Sequence, residues 1–167
     1  MLREARRAPG SEWLKNHPRL LEAAYLITKR LFAAAWPLAR RVSPQAAERA
    51  VIWGEELTKG YLFNCQMCGQ CTLHSTGMTC PMNCPKNLRN GPCGGVRADG
   101  TCEVIPTMPC VWVQAWERSA QMVLYGPAIH AIQPPLNRSL QGTSAWINMV
   151  EKHDIKTPEG WARQVTG

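Results

Sequence analysis

Three thiols stand on one short loop, Cys65-x2-Cys68-x2-Cys71, and the series runs on as x8-Cys80-x3-Cys84 with Pro85 behind it. Cys93, Cys102 and Cys110 bring the count to eight, with none outside this stretch. A C-x2-C-x2-C run can grip three irons of a cubane, the fourth ligand arriving from further along the chain. Eight cysteines are two sets of four, so the sequence reads first as a carrier of two [4Fe-4S] clusters. Paired spacings also suit zinc, and one [4Fe-4S] cluster plus zinc is the alternative content. Disulfides are the third reading. They need an oxidising compartment, whereas MLREARRAPG followed by SEWLKNHPRL shows no apolar signal core. The expected location is therefore the cytoplasm.

In two-cluster ferredoxins the cysteine before the proline ligates the cluster other than that of its own run. By that logic Cys65, Cys68 and Cys71 hold one cluster with a distant fourth cysteine. Cys80, Cys84 and Cys93 begin the second set, and Cys102 and Cys110 complete the two in unknown order. Interleaved glycines let backbone approach sulfur, and Pro81, Pro85 and Pro92 stiffen the chain beside the thiols. Met67, Leu73, Met78, Met82 and Leu88 are placed to exclude water. Taken singly, each of these is an ordinary turn or packing residue; the signal is their joint placement. His74 is a candidate ligand, but a surface or supporting role fits better because eight thiols already suffice. His17, His130 and His153 have no ligand spacing. No paired catalytic carboxylates, Ser/His/Asp set or dinucleotide fingerprint is present, and an electron carrier needs none because its cofactor does the chemistry.

The formal charge of +7 suggests nucleic acid at first. It counts every thiol as neutral. Eight ligating thiolates and two oxidised cubane cores bring the total to about +3. No Lys/Arg tract is long enough to argue for nucleic acid, and an acidic protein partner suits the surface equally well.

The elements around the thiols follow from periodicity. Ser11 is a plausible N-cap for a helix opening at Trp13 and Leu14, which Pro18 breaks or restarts. From Leu20 the apolar spacing through Leu21, Tyr25, Leu31 and Phe32 predicts an amphipathic helix to about Leu38, bent near Pro37. Lys29, Arg30, Arg40 and Arg41 give it a basic group. Those charges and Glu22 rule out a membrane span. Ser43-Pro44 predicts the start of a second helix, which Gly60 should stop. Asp99-Gly100 predicts a type I′ hairpin between short arms. Beyond Pro109, VWVQAWERSAQMVL predicts a helix with Val113, Trp116, Ala120 and Val123 on one face, and a last helix spans about Ser144 to Lys152. The expected fold is α-rich, with an irregular cysteine-rich cluster-binding core and one small β-hairpin. Residues 1–60 form N-terminal helices for partner docking; residues 61–167 form the iron–sulfur domain with C-terminal helices.

CQMCGQCTLHSTGMTCPMNCPKNLRNGPCGGV, then GTCEV and MPCVWVQAWERS, closely resembles the methylenetetrahydrofolate reductase C-terminal domain family, and NRSLQGTSAWIN is similar to that family's C-terminal segment. The resemblance covers roughly residues 60–150. It implies the small cysteine-rich subunit that accompanies a flavin-containing reductase subunit, a barrel that binds flavin and folate. The implied role is to relay electrons to or from that flavin, with no catalytic residue on this chain; further redox subunits are possible partners. By position, Cys65, Cys68, Cys71, Cys80, Cys84, Cys93, Cys102 and Cys110 are the implied metal ligands. The rival is a metal-stabilised adaptor, with zinc or mixed metals, that scaffolds the reductase without carrying electrons.

Overall fold

The computed structural model describes residues 13–91 and 93–155. Ser11, the charged tail before it and Pro92 lie outside them. The described residues are helix-rich and almost without strand. Its α-helices are α1 (Pro18–Val42), α2 (Pro44–Phe63), α3 (Val111–Ser119) and α4 (Ala145–Val150). Between them run loops and short 3-10 turns, at Leu73–Ser75, Pro81–Asn83, Gly126–His130 and Arg138–Leu140.

Pro18 opens α1, where a missing N–H costs nothing. The helix runs through Pro37 to Val42, one turn further than the periodicity suggested. Glu151 accounts for this: its carboxylate accepts from Trp36 Nε1 (3.2 Å) and Arg40 Nη1 (3.0 Å), which pins the helix on both sides of the proline. Near the other end, buried Glu22 accepts the backbone N–H groups of Val123, Leu124 and Tyr125 at 2.7–2.9 Å. Just before them the N–H groups of Gln121 and Met122 turn to carbonyls only three residues back, those of Arg118 and Ser119. The helix therefore stops at Ser119 and does not reach Val123, and its buried face is Val111, Trp112, Ala115, Arg118 and Ser119. The expected face is corrected accordingly, with Trp116 and Val123 exposed.

Gly60 does not stop α2. A helical glycine costs only about 1 kcal/mol, and the turn beyond it carries Phe63 onto the first apolar cluster. The helix closes at Asn64, in the left-handed conformation (φ 50°) that asparagine tolerates.

The expected type I′ hairpin is also corrected. Gly100 N–H donates to Arg97 O and Arg97 N–H to Thr101 O, but of the turn residues only Gly100 has positive φ, at +80°. Type I′ needs two such residues. Asp99 instead turns its carboxylate onto Thr101 N and Oγ1. Pairing stops at two isolated bridges, Val96 with Cys102 and Thr101 with Pro109, because Cys102 N–H goes to Met108 O as the chain folds back.

Two apolar clusters hold the described residues together. One contains Leu21, Leu73, Met78, Cys80, Met82 and Met122. The other contains Cys84, Cys110, Val111, Trp112 and Ala115. Each is built around cysteine.

Candidate metal centre

The loop from Cys65 to Cys71 has little regular structure, so its peptide groups need outside partners. The segment from 137 to 148 and one arginine supply them. Gln141 donates to Gln66 O (2.6 Å), Gly142 N–H to Met67 O (2.8 Å), Asn148 Nδ2 to Gly69 O (2.9 Å) and Arg89 Nη2 to Gln70 O (3.2 Å). The Gln70 side chain reaches back, accepting from Asn137 N–H and donating to Asp154 O, both at 2.7 Å. Gly69 has φ +73°, and a Cβ there would run into the Leu140 carbonyl. Three carbonyls of the cysteine loop are thus clamped by a segment some 75 residues away in sequence, and a fourth by Arg89. These positioning residues escaped the sequence reading, because an exposed-looking glutamine or asparagine carries no spacing signal.

Asn83 brings in a fourth thiol. Its Nδ2 donates to Phe63 O (2.8 Å) and its Oδ1 accepts from Asn64 Nδ2 (3.0 Å). This fastens the turn after Cys80 to the end of α2, just before Cys65. Cys65, Cys68, Cys71 and Cys80 consequently line one cavity, together with Lys59, Glu55, Met67, Leu73, Met82 and Arg89. This differs from the expected partition, which started the second set at Cys80. Among the described residues, no group of three or more His, Cys, Asp or Glu side chains converges tightly enough to hold a single metal ion.

The electrostatics of the cavity are set by burial. It pushes the Cys65 thiol up to about 12, and raises Cys68 and, most strongly, Cys80, each thiol adding to its neighbours. Lys59 and Arg89 provide opposite charge. Burial works against the Lys59 ammonium, but Cys71 and then Glu55 more than offset it, so Lys59 titrates above an ordinary lysine. Its Nζ lies 2.5 Å from Glu55 Oε1 and 4.8 Å from the centre of the Trp146 ring, while Ser144 Oγ donates to Glu55 Oε2 at 2.6 Å. Arg89 is held below its usual value by burial.

The remaining thiols are less uniform. Cys84 and Cys110 are buried in one apolar cluster. Cys102 N–H donates to the carbonyl of Met108, which packs against that cluster, and Cys110 N–H donates to Gly100 O, both at 2.9 Å. Trp112, in the same cluster, has a buried indole Nε1 with no hydrogen-bond partner. Cys93 sits apart, beside the Lys86–Glu103 ion pair, with its sulfur 3.5 Å from Lys86 Nζ. The Gly95 N–H, and after it Lys86, hold its thiol below the ordinary cysteine value.

His74 is half-buried beside Tyr25, whose hydroxyl lies 3.4 Å from its Nδ1. Its ring stacks on Tyr25 (5.4 Å between centroids) and meets Tyr125 edge-on (5.1 Å). Burial, with Lys29 nearby, holds it below the ordinary histidine value.

The donor set fits a cubane at the first cavity: four soft sulfurs in an apolar wall, with two cations to offset thiolate charge. At the second group the orphaned Trp112 Nε1 is the kind of donor from which a sulfide or thiolate accepts, and two of the four thiols, Cys84 and Cys110, share its buried cluster.

Searches of curated proteins and of solved structures found no match. A family model described as methylene-tetrahydrofolate reductase C terminal matches residues 44–139, which takes in all eight cysteines, α2 and α3 but not α1. That is more than half of the 167-residue chain, which therefore belongs to the methylene-tetrahydrofolate reductase C-terminal family.

Proposed function

We propose that this chain is the iron–sulfur subunit of a methylenetetrahydrofolate reductase-type complex and relays electrons to or from the flavin of a barrel-shaped catalytic subunit. The observation that carries the reading is the gathering of Cys65, Cys68, Cys71 and Cys80 around one cavity, in a member of this family. Those four thiols are the ligands of one [4Fe-4S] cluster; Cys84, Cys93, Cys102 and Cys110 are the ligands of the second. A cluster supplies single-electron exchange when bound, which a flavin can convert to the two-electron reduction of a folate. The chain's own residues hold the thiols in place, exclude water with Leu73, Met78 and Met82, and balance thiolate charge through Lys59 and Arg89. Apart from Lys59, residues 61–167 do this work, and residues 1–60 dock partners.

The test is direct. The chain, reduced anaerobically with a measured excess of dithionite removed, is mixed with the oxidised flavin subunit. The flavin absorbance should bleach, and Cys68→Ser should abolish that bleaching while leaving the flavin reducible by dithionite alone. If a stable complex forms and the flavin stays oxidised, the chain is a scaffold and the adaptor reading replaces this one.

A further inference from the structure

Of Leu21, Tyr25, Leu31 and Phe32, expected together on a partner-facing side of α1, three are internal and Leu31 is exposed: Leu21 is buried, and Tyr25 and Phe32 pack against Tyr125, Trp36 and Trp146. The opposite face is the unpartnered one. Leu20, Ala24, Ile27, Leu31, Ala34 and Leu38 follow each other at alternating steps of four and three, and all six are exposed. Leu20, Ile27, Leu31 and Leu38 are 52–66% accessible, and Val42 beyond them is 83% accessible. At 100° per residue the four larger side chains fall within about 40° of one another, along about 27 Å of helix. This is the repeat of a coiled-coil seam, with leucine and isoleucine as knobs and alanines leaving holes between them.

The seam has one charged edge. Arg19, Arg30 and Arg41 stand 11 residues apart, within about 40° of each other and beside the apolar row. The lone acid of α1, Glu22, is buried on the far side and bonded to the amides of residues 123–125. A second copy of this chain is a poor occupant. Paired antiparallel about Arg30, Arg30 meets Arg30 and Arg19 meets Arg41; paired in parallel, the arginine edge faces the partner's other edge, which brings no acid because Glu22 is buried. The chain's own ends do not supply the cover, since residues 1–12 and 156–167 contain no comparable repeat. A lipid surface has no use for alternating knobs and holes, and the row lacks the aromatic anchors of interfacial helices.

We infer that the exposed face of α1 is a docking seam for a helix of another protein, one with an apolar three–four repeat and acidic side chains along one edge. The seam lies outside residues 44–139, so this role is additional to the family-matched part and independent of its metal content.

The experiment uses the full chain, purified anaerobically with its metal, and two synthetic four-heptad helices with leucine seams, one flanked by glutamate and one by lysine. Fluorescence anisotropy should show the glutamate helix binding at least tenfold more tightly than the lysine helix. The double variant Arg30→Glu/Arg41→Glu should reverse that order, and Leu31→Ser should weaken both by tenfold or more, with helicity and iron content unchanged. All three positions are exposed, so the fold does not depend on them. Equal affinity for the two helices, no binding of either, dimerisation of the chain by sedimentation, or preferential binding to phosphatidylglycerol vesicles would each overturn the inference.

Discussion

At the residue level, the eight cysteines are chemically unequal. Cys93 is beside an ammonium and a backbone donor, which favour its thiolate. Cys65, Cys68 and Cys80 are held as thiols by burial. In gently demetallated protein at neutral pH, iodoacetamide should therefore modify Cys93 first, because the thiolate is the nucleophile. Peptide mass spectrometry reads the order, and faster labelling of Cys65 or Cys80 than of Cys93 would contradict the cavity described. Labelling of Cys65 should stay well below that of a free thiol at each pH and go on rising toward pH 12. Glu22 is a second sharp residue. Replacing it with alanine leaves three amide N–H groups without their acceptor, a loss of about 3 kcal/mol or more, to be measured by chemical denaturation. The ligand types were plain in the sequence because thiol spacing is itself the signal. Glu22 was not, since its partners lie about a hundred residues away and a lone glutamate in a helix reads as a solvated charge.

Among the elements, the clamp between the cysteine loop and the 137–154 segment matters most. Asn148→Ala removes the donor to Gly69 O and to Thr143 Oγ1. The expected cost is about 1–3 kcal/mol, together with iron release to a chelator several-fold faster than in the unaltered chain. Gly69→Ala should do more, since it forces a Cβ onto the Leu140 carbonyl at a positive φ. Chelator kinetics that leave both variants indistinguishable from the parent would show that the clamp does not hold the site. Periodicity located α1, α2, α3 and α4, because an amphipathic helix writes its period into the chain. Their ends were set by tertiary partners that no local pattern records: Glu151 beside Pro37, the burial of Phe63 beyond Gly60, and Glu22 taking the amides of residues 123–125 beyond α3. The 96–104 hairpin failed for a related reason, its second arm being drawn to Met108 after one paired residue.

On the scale of the whole molecule, the described residues hold two apolar clusters that contain cysteine, and α1, whose outer face is apolar and basic, packs Leu21 into the first. The sequence made the cysteine segment recognisable as a unit, yet it left the thiol partition open, because the fourth ligand of a three-cysteine loop is chosen by three-dimensional approach. Asn83 makes that approach here, by joining the turn after Cys80 to the end of α2. The outer seam of α1 was equally hard to read, since a helix with apolar residues on two faces does not say which one the core takes. Among the described residues no helix is long and apolar enough to cross a membrane, so the exposed apolar row is not part of a transmembrane helix. In the proposed function Cys65, Cys68, Cys71 and Cys80 hold one [4Fe-4S] cluster and the other four cysteines a second. Iron and acid-labile sulfide should be determined on anaerobically purified chain beside its Cys80→Ser variant. The account predicts about eight irons and eight sulfides in the parent, one of each per cysteine, and a loss of about half of both in the variant; stoichiometric zinc with little iron, or a variant that retains its full iron, would contradict it.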